Sequence, residues 1–166
     1  MCTEGVLRIH NSQCIIENMK ILELDKHFLA DLHETAKKNE RLRMNYDMRT
    51  TEEDGSQRML NALEPGTRVP IHRHMETSET IICLEGKMDI VFYNVSPSSC
   101  CDKPHIGNFL VESADTIVTE CNRISLCPRD GYYGVQIPIG AWHTVDVHEP
   151  STIFEAKDGA YVLENR

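Results

Sequence analysis

A chain of 166 residues with 40% hydrophobic residues and a formal charge of −9 has enough apolar content for one core and the wrong sign of charge for a phosphate backbone. Its basic clusters, Lys37-Lys38 and Arg41 with Arg43, are too short for a nucleic-acid stripe, and no apolar run reaches the roughly 20 residues of a membrane helix. The N-terminus lacks the pattern of a secretion signal, so the expected setting is the cytoplasm, with neither nucleic acid nor membrane as partner.

From the N-terminus, periodicity is weak apart from a short strand pattern in VLRIH. The stretch LDKHFLADLHETAKKN then places Leu24, Phe28, Leu32 and Ala36 at helical spacing, with Asp25 as N-cap, lysines in the last turn and Asn39 beyond. One amphipathic helix is predicted there. In ERLRMNYDMR, Leu42, Met44 and Tyr46 alternate with Arg41, Arg43 and Asn45, which is strand periodicity. A polar break precedes QRMLNALEPG, a second alternating run that ends at the turn residues Pro65-Gly66.

Three further strand segments follow in TRVPIHRH, ETIICLEG and KMDIVFYN, with Glu85-Gly86 placed to close a hairpin. SPSSCCDKPHIGN is rich in turn formers and predicts an exposed loop, after which FLVESADTIVTE, RISLCP, YYGVQIP, HTVDV and STIFEAKDG return to strand character. Many short strands between Gly/Pro turns predict a sandwich or barrel. The division expected is an N-terminal extension over residues 1–40, carrying the helix, and a β-barrel over residues 41–166.

The seven cysteines, Cys2, Cys14, Cys83, Cys100, Cys101, Cys121 and Cys127, are odd in number and contain no CxxC pair. Reduced thiols are the reading. Cys100-Cys101 stands apart, since adjacent thiols in a polar segment bind adventitious metal or oxidise.

VPIHRHMETSETIICLEG, from Val69 to Gly86, concentrates the polar chemistry. In a strand, His72 and His74 project to one side and can share a metal ion, Glu79 can return beside them from the next strand, and His143 can supply a fourth ligand. Glu76 reads as a solvated carboxylate. Gly66, His72, His74, Glu79 and Gly86 fit G(X)5HXH(X)4E(X)6G, and Pro138, Gly140 and His143 fit PXG(X)2H. This two-part pattern resembles the signature of the cupin superfamily. The glycine and asparagine that commonly flank the second part are Tyr132 and Val147 here, which leaves Gly131 or Gly134 to serve the turn.

RLRMNYD, SQRMLNALEPGTRVPIHRH, IPIGAWHTV and IFEAKDGAY, spread over roughly Asp25 to Tyr161, further resemble the WbuC family of cupin-fold metalloproteins, a group associated with surface-polysaccharide gene clusters. The resemblance implies a mainly β fold, a single conical β-barrel (double-stranded β-helix) with a short N-terminal helical region and a metal in its mouth. His72, His74, Glu79 and His143 are then the expected ligands of one divalent transition metal ion, with Fe, Zn, Mn, Ni and Cu all compatible. Such a centre carries about one net positive charge and favours an oxygen-rich or anionic small molecule.

Arg41 and Arg43 on one strand face, with Arg58 in the next run, can grip a carboxylate or phosphate, or simply form a solvated face with ion pairs. Glu155 is a candidate general base if it faces the barrel, and otherwise one half of a structural ion pair with Lys157. Trp142 reads as packing at the mouth. Three functions remain open at this point: proton transfer on a carbohydrate or nucleotide-sugar, as in an isomerase or epimerase; Fe(II)-dependent dioxygenation; and metal-dependent binding without catalysis. A homodimer is compatible with each.

Overall fold

The computed structural model describes residues 21–97, 109 and 116–159. The strand expected at VLRIH, the thiols Cys2, Cys14, Cys100 and Cys101, Tyr161 and most of the turn-rich segment lie outside the described residues. Helix α1 spans Lys26–Lys38, with the Asp25 carboxylate accepting from the backbone N–H of His27 at 3.0 Å and Phe28 at 2.9 Å. Because the cap is at Asp25, Leu24 falls before the helix and is 42% exposed, and the buried face is Leu29, Leu32, His33 and Ala36.

The strands are β1 (Arg43–Asp47), β2 (Ser56–Leu63), β3 (Glu79–Pro97), β4 (Thr116–Leu126), β5 (Gly134–Ile137) and β6 (Trp142–Asp158). They pair in the order β1-β2-β6-β3-β4, with β5 also on β3, and every strand pairing is antiparallel. Two strands are longer than the sequence predicts. ETIICLEG and KMDIVFYN form one strand, β3, and no hairpin closes at Glu85-Gly86; HTVDV and STIFEAKDG likewise join in β6. Gly86, at φ +92°, lets β3 kink without ending, and the β3–β6 register shifts between Cys83 and Met88.

That kink turns the sheet into a barrel. Phe92 pairs with His143, and Glu79 lies 13 residues before Phe92 on the same strand, so a straight β3 would separate them by about 43 Å at roughly 3.3 Å per residue. The observed His143–Glu79 side-chain distance is 3.0 Å. Strand β3 therefore folds back on itself, and its two halves, with those of β6, lie in facing layers. Leu63, Ile81, Cys83, Ile137 and Ile153 of one layer and Met88, Ile90, Leu126 and Val147 of the other form the core between them. The fold of the chain is a mainly β, antiparallel barrel with a short N-terminal helix. Among the described residues no helix is long and apolar enough to cross a membrane.

Helix α1 covers the outside of the first layer, where Leu29, Leu32 and Ala36 pack on Leu60 and Ala62. Side chains on β2 alternate accordingly: Leu60 and Ala62 face the helix, whereas Leu63 and its inward neighbours face the core.

On the outside of the second layer Asp89 is 5% exposed and bonds Ser125 Oγ at 2.6 Å, Arg123 Nη1 at 3.0 Å and His148 Nε2 at 2.9 Å. Asp89, Asp146 and His148 are close enough to share an ion, but Arg123, bonded to both aspartates, already supplies a cation there. Against the cost of burial, these partners hold the Asp89 carboxyl at about 2, below its ordinary 3.8. A group with a depressed folded pKa adds stability that is complete above its unfolded value and lost as pH falls through the folded one. Asp89→Asn is therefore expected to lose roughly 2 kcal/mol at neutral pH relative to the parent. In denaturant titrations the gap should shrink between about pH 4 and pH 2; a gap that is constant over that window removes the linkage.

Candidate metal centre

His72 and His74 lie on an extended segment outside the named strands, not on a hairpin strand. What positions His72 is a reciprocal backbone bridge to the start of β6: His72 N–H donates to His143 O at 3.0 Å and His143 N–H to His72 O at 2.8 Å. Gly140 N–H donates to His74 O at 2.8 Å, which ties the turn before β6 to the same segment. Glu79 opens β3 on the inward face. The two halves of the motif, remote in sequence, are thus stitched together by backbone hydrogen bonds before any side chain meets.

The donor atoms of His72, His74, Glu79 and His143 all lie within 4.8 Å of one another. Glu79 Oε2 is 3.0 Å from His143 Nε2 and 3.4 Å from His74 Nε2, and the His72 and His143 rings are 4.2 Å apart. His72 Nδ1 bonds Pro70 O and His143 Nδ1 bonds Ala141 O, each at 3.0 Å. A carbonyl only accepts, so both Nδ1 atoms carry hydrogen and, in the neutral rings, both Nε2 lone pairs are left for the cluster. Carbonyl contacts of this kind orient histidine ligands in metal sites. Donors sharing one ion at bonds of about 2.0–2.2 Å sit at most ~4.4 Å apart, so the set fits an ion with small side-chain adjustment.

Electrostatics follow burial. Burial and the adjacent His143 push the His72 imidazole down to about 3. Burial raises the carboxyl of Glu79, which is 3% exposed, but its contacts with His143, His74 and Glu155 outweigh this and hold it well below the usual carboxylate range. Glu76 is exposed and takes no part.

Glu155 faces inward, opposite Ile81 and Met59. Its Oε2 accepts from Asn61 Nδ2 at 3.1 Å, and the Glu79 carboxylate is its charged neighbour. Burial, then the Glu79 carboxylate, push Glu155 up to about 8. The Lys157 Nζ is 3.9 Å from Glu155 Oε1 and 3.4 Å from His74 Nδ1.

The arginines separate. Arg43, opposite Leu63, lies on the inward face, and its Nη1 donates to Arg68 O at 2.7 Å. Arg58 pairs with Ala156 and projects to the opposite face, where its guanidinium bonds Asp54 at 2.8 Å and Ser56 Oγ. Arg41 is exposed at the turn before β1. The alternation that suggested a shared arginine face holds within each strand, but pairing sets Arg43 and Arg58 on different sides. Trp142 is 7% exposed and carries the Arg73 guanidinium 4.4 Å above its ring. Asn61 and Lys157 had no motif to mark them; the one sequence signal was strand alternation with Leu63 and Glu155.

A family model described as "Domain of unknown function (DUF6016)" matches residues 24–100. No curated protein matches the chain. Among solved structures the chain is similar to E. coli ycfD, at 17% identity over 64% of this chain and 26% of that one, with a TM-score of 0.45. It is similar to the capsular polysaccharide assembling protein CapF from Staphylococcus aureus at 17% identity, over 72% of this chain and 27% of that one, with a TM-score of 0.44. A cupin 2 domain-containing protein from Halorhodospira halophila shares 17% identity over 72% of this chain and 64% of that one, with a TM-score of 0.45. The chain spans about a quarter of the length of the first two.

Proposed function

We propose that this chain is a metal-binding cupin-type protein that takes a small oxygen-rich anion and moves a proton on it. The resemblance to the WbuC family supports a setting in surface-polysaccharide metabolism, with a carbohydrate or nucleotide-sugar as substrate. The observation that carries the reading is the convergence of His72, His74, Glu79 and His143 donor atoms within 4.8 Å, with backbone carbonyls on two of the three imidazoles. These four residues would hold one divalent ion, and three imidazoles with a carboxylate suit Fe, Zn, Mn, Ni or Cu. Bound there, the ion would supply Lewis-acid polarisation of a ligand oxygen.

The other inward residues supply binding and proton movement. Glu155 is the carboxyl group that gives or takes the proton, held in orientation by Asn61. With Glu155 protonated, as burial and the Glu79 carboxylate favour, a divalent ion, the Glu79 carboxylate and the Lys157 ammonium sum to about two positive charges by simple counting, which favours an anionic ligand. An inward acid–base group beside a cation supports proton transfer over dioxygenation, which asks of the pocket only open coordination positions and an apolar wall.

Metal analysis of the purified protein, and of the metal-free protein titrated with each of the five ions, tests the reading. One ion per chain is expected; failure to bind any of the five rejects it. For the proton step, Glu155→Gln should keep full metal content yet slow solvent deuterium incorporation into a bound substrate by about 10²–10⁴-fold. Wild-type exchange rates in that variant would remove Glu155 from the role.

A further inference from the structure

Among the described residues, Lys157 is an inward cation at the site whose contacts are all long. Its side chain is 12% exposed, and its Nζ lies 3.4 Å and 3.5 Å from the two ring nitrogens of His74 and 3.9 Å from Glu155 Oε1. A charged N–H donor normally sits about 2.7–2.9 Å from its acceptor, and an ammonium has three hydrogens to place. Burying a cation without short acceptors is costly, so the position is sensible when a further acceptor arrives. Strand pairing aims it: Lys157 is opposite Glu79 on β3 and opposite Gln57 on β2, and it follows Glu155 by two residues on the same face.

We propose that Lys157 anchors the carboxylate of the ligand, and that the ligand is a small monocarboxylate with a neighbouring hydroxyl or carbonyl oxygen directed to the histidine–glutamate centre. This inference rests on the metal reading above. The class follows from the number of cationic side chains: one ammonium pairs with one carboxylate, whereas a phosphate dianion would call for a second charged donor beside Lys157. Arg58 is on the other face of the sheet and Arg43 donates to the Arg68 carbonyl, so neither is placed as Lys157 is. The role that the sequence offered to the arginines therefore falls to a lysine at the end of β6.

The test is calorimetry on metal-loaded protein with three probes: glycolate, its uncharged analogue glycolamide, and inorganic phosphate. Wild type, Lys157→Met and Lys157→Arg are compared, with metal content measured for each. Wild type is expected to bind glycolate in preference to both other probes. Lys157→Met, close in volume and without charge, should keep its metal and lose about ten-fold or more of glycolate affinity while glycolamide affinity is unchanged. Lys157→Arg should hold glycolate more tightly than Lys157→Met does. Metal-loaded Lys157→Met that binds glycolate like wild type overturns the proposal, as does a wild type that prefers phosphate or fails to distinguish glycolate from glycolamide. A wild type that binds no metal fails the metal reading itself, and this inference with it.

Discussion

Replacing His72 or His143 with alanine is expected to abolish stoichiometric metal binding. Each contributes an Nε2 lone pair to a cluster whose donors lie within 4.8 Å, and each is oriented by a backbone carbonyl at 3.0 Å. Removing a partner outside the coordination shell typically costs 10–100-fold in metal affinity, so losing a direct ligand should exceed that range. The two positions are joined by backbone bonds, His72 N–H to His143 O and back, which alanine retains. Loss of metal in these variants would thus report a missing ligand and not a displaced segment. Dialysis against a mild chelator followed by metal analysis makes the measurement, with Glu76→Ala as the control that should keep its ion because Glu76 is exposed. Full retention by both histidine variants would show the ion, if any, to be held elsewhere.

The second large effect is on folding. Gly86→Ala is expected to destabilise the protein by about 2–5 kcal/mol, combining left-handed backbone strain with steric overlap. At φ +92° the new Cβ would overlap the Pro150 carbonyl oxygen and lie 2.6 Å from Ser151 Cα. Those are backbone atoms of β6, so relief requires parting the two long strands where both turn between layers. Gly131→Ala is the comparison: its φ is +87° but its Cβ would meet nothing within 4 Å, so it should cost only the strain of roughly 1–2 kcal/mol. Denaturant midpoints for the two variants separate the terms. Equal losses would mean that the close approach of Gly86 to Pro150 carries no weight. A folded stability of roughly 5–15 kcal/mol makes the larger loss a substantial fraction of the whole.

Several features were legible because they depend on neighbours in the chain. The Asp25 cap and the helix after it follow from residues within a few positions of one another, as do the alternation in β1 and β2 and the turn at Pro65-Gly66. Gly131 is the one of the two offered turn glycines that has a positive φ; Gly134 instead gives close passage, since a Cβ there would meet the Ile81 carbonyl. The expected hairpin at Glu85-Gly86 misled because a glycine with positive φ serves a turn and a strand kink equally well. Only the continued pairing with β6 distinguishes the two.

The sequence by itself determined a mainly β chain with one N-terminal helix and singled out His72, His74, Glu79 and His143, because alternation, capping and motif spacing are local properties of a chain. Tertiary structure decided which side each remaining polar residue faces. Arg58 went to the outer face, Arg43 turned to a backbone carbonyl, and Asn61, Glu155 and Lys157 came to the site. The physical reason is register: a strand's two faces are equivalent until its partner is fixed, and one residue of slip exchanges them. For β2 and β6 that choice was made by burying Leu60 and Ala62 under α1 and Leu63 and Ile153 in the core, contacts with residues far away in the chain.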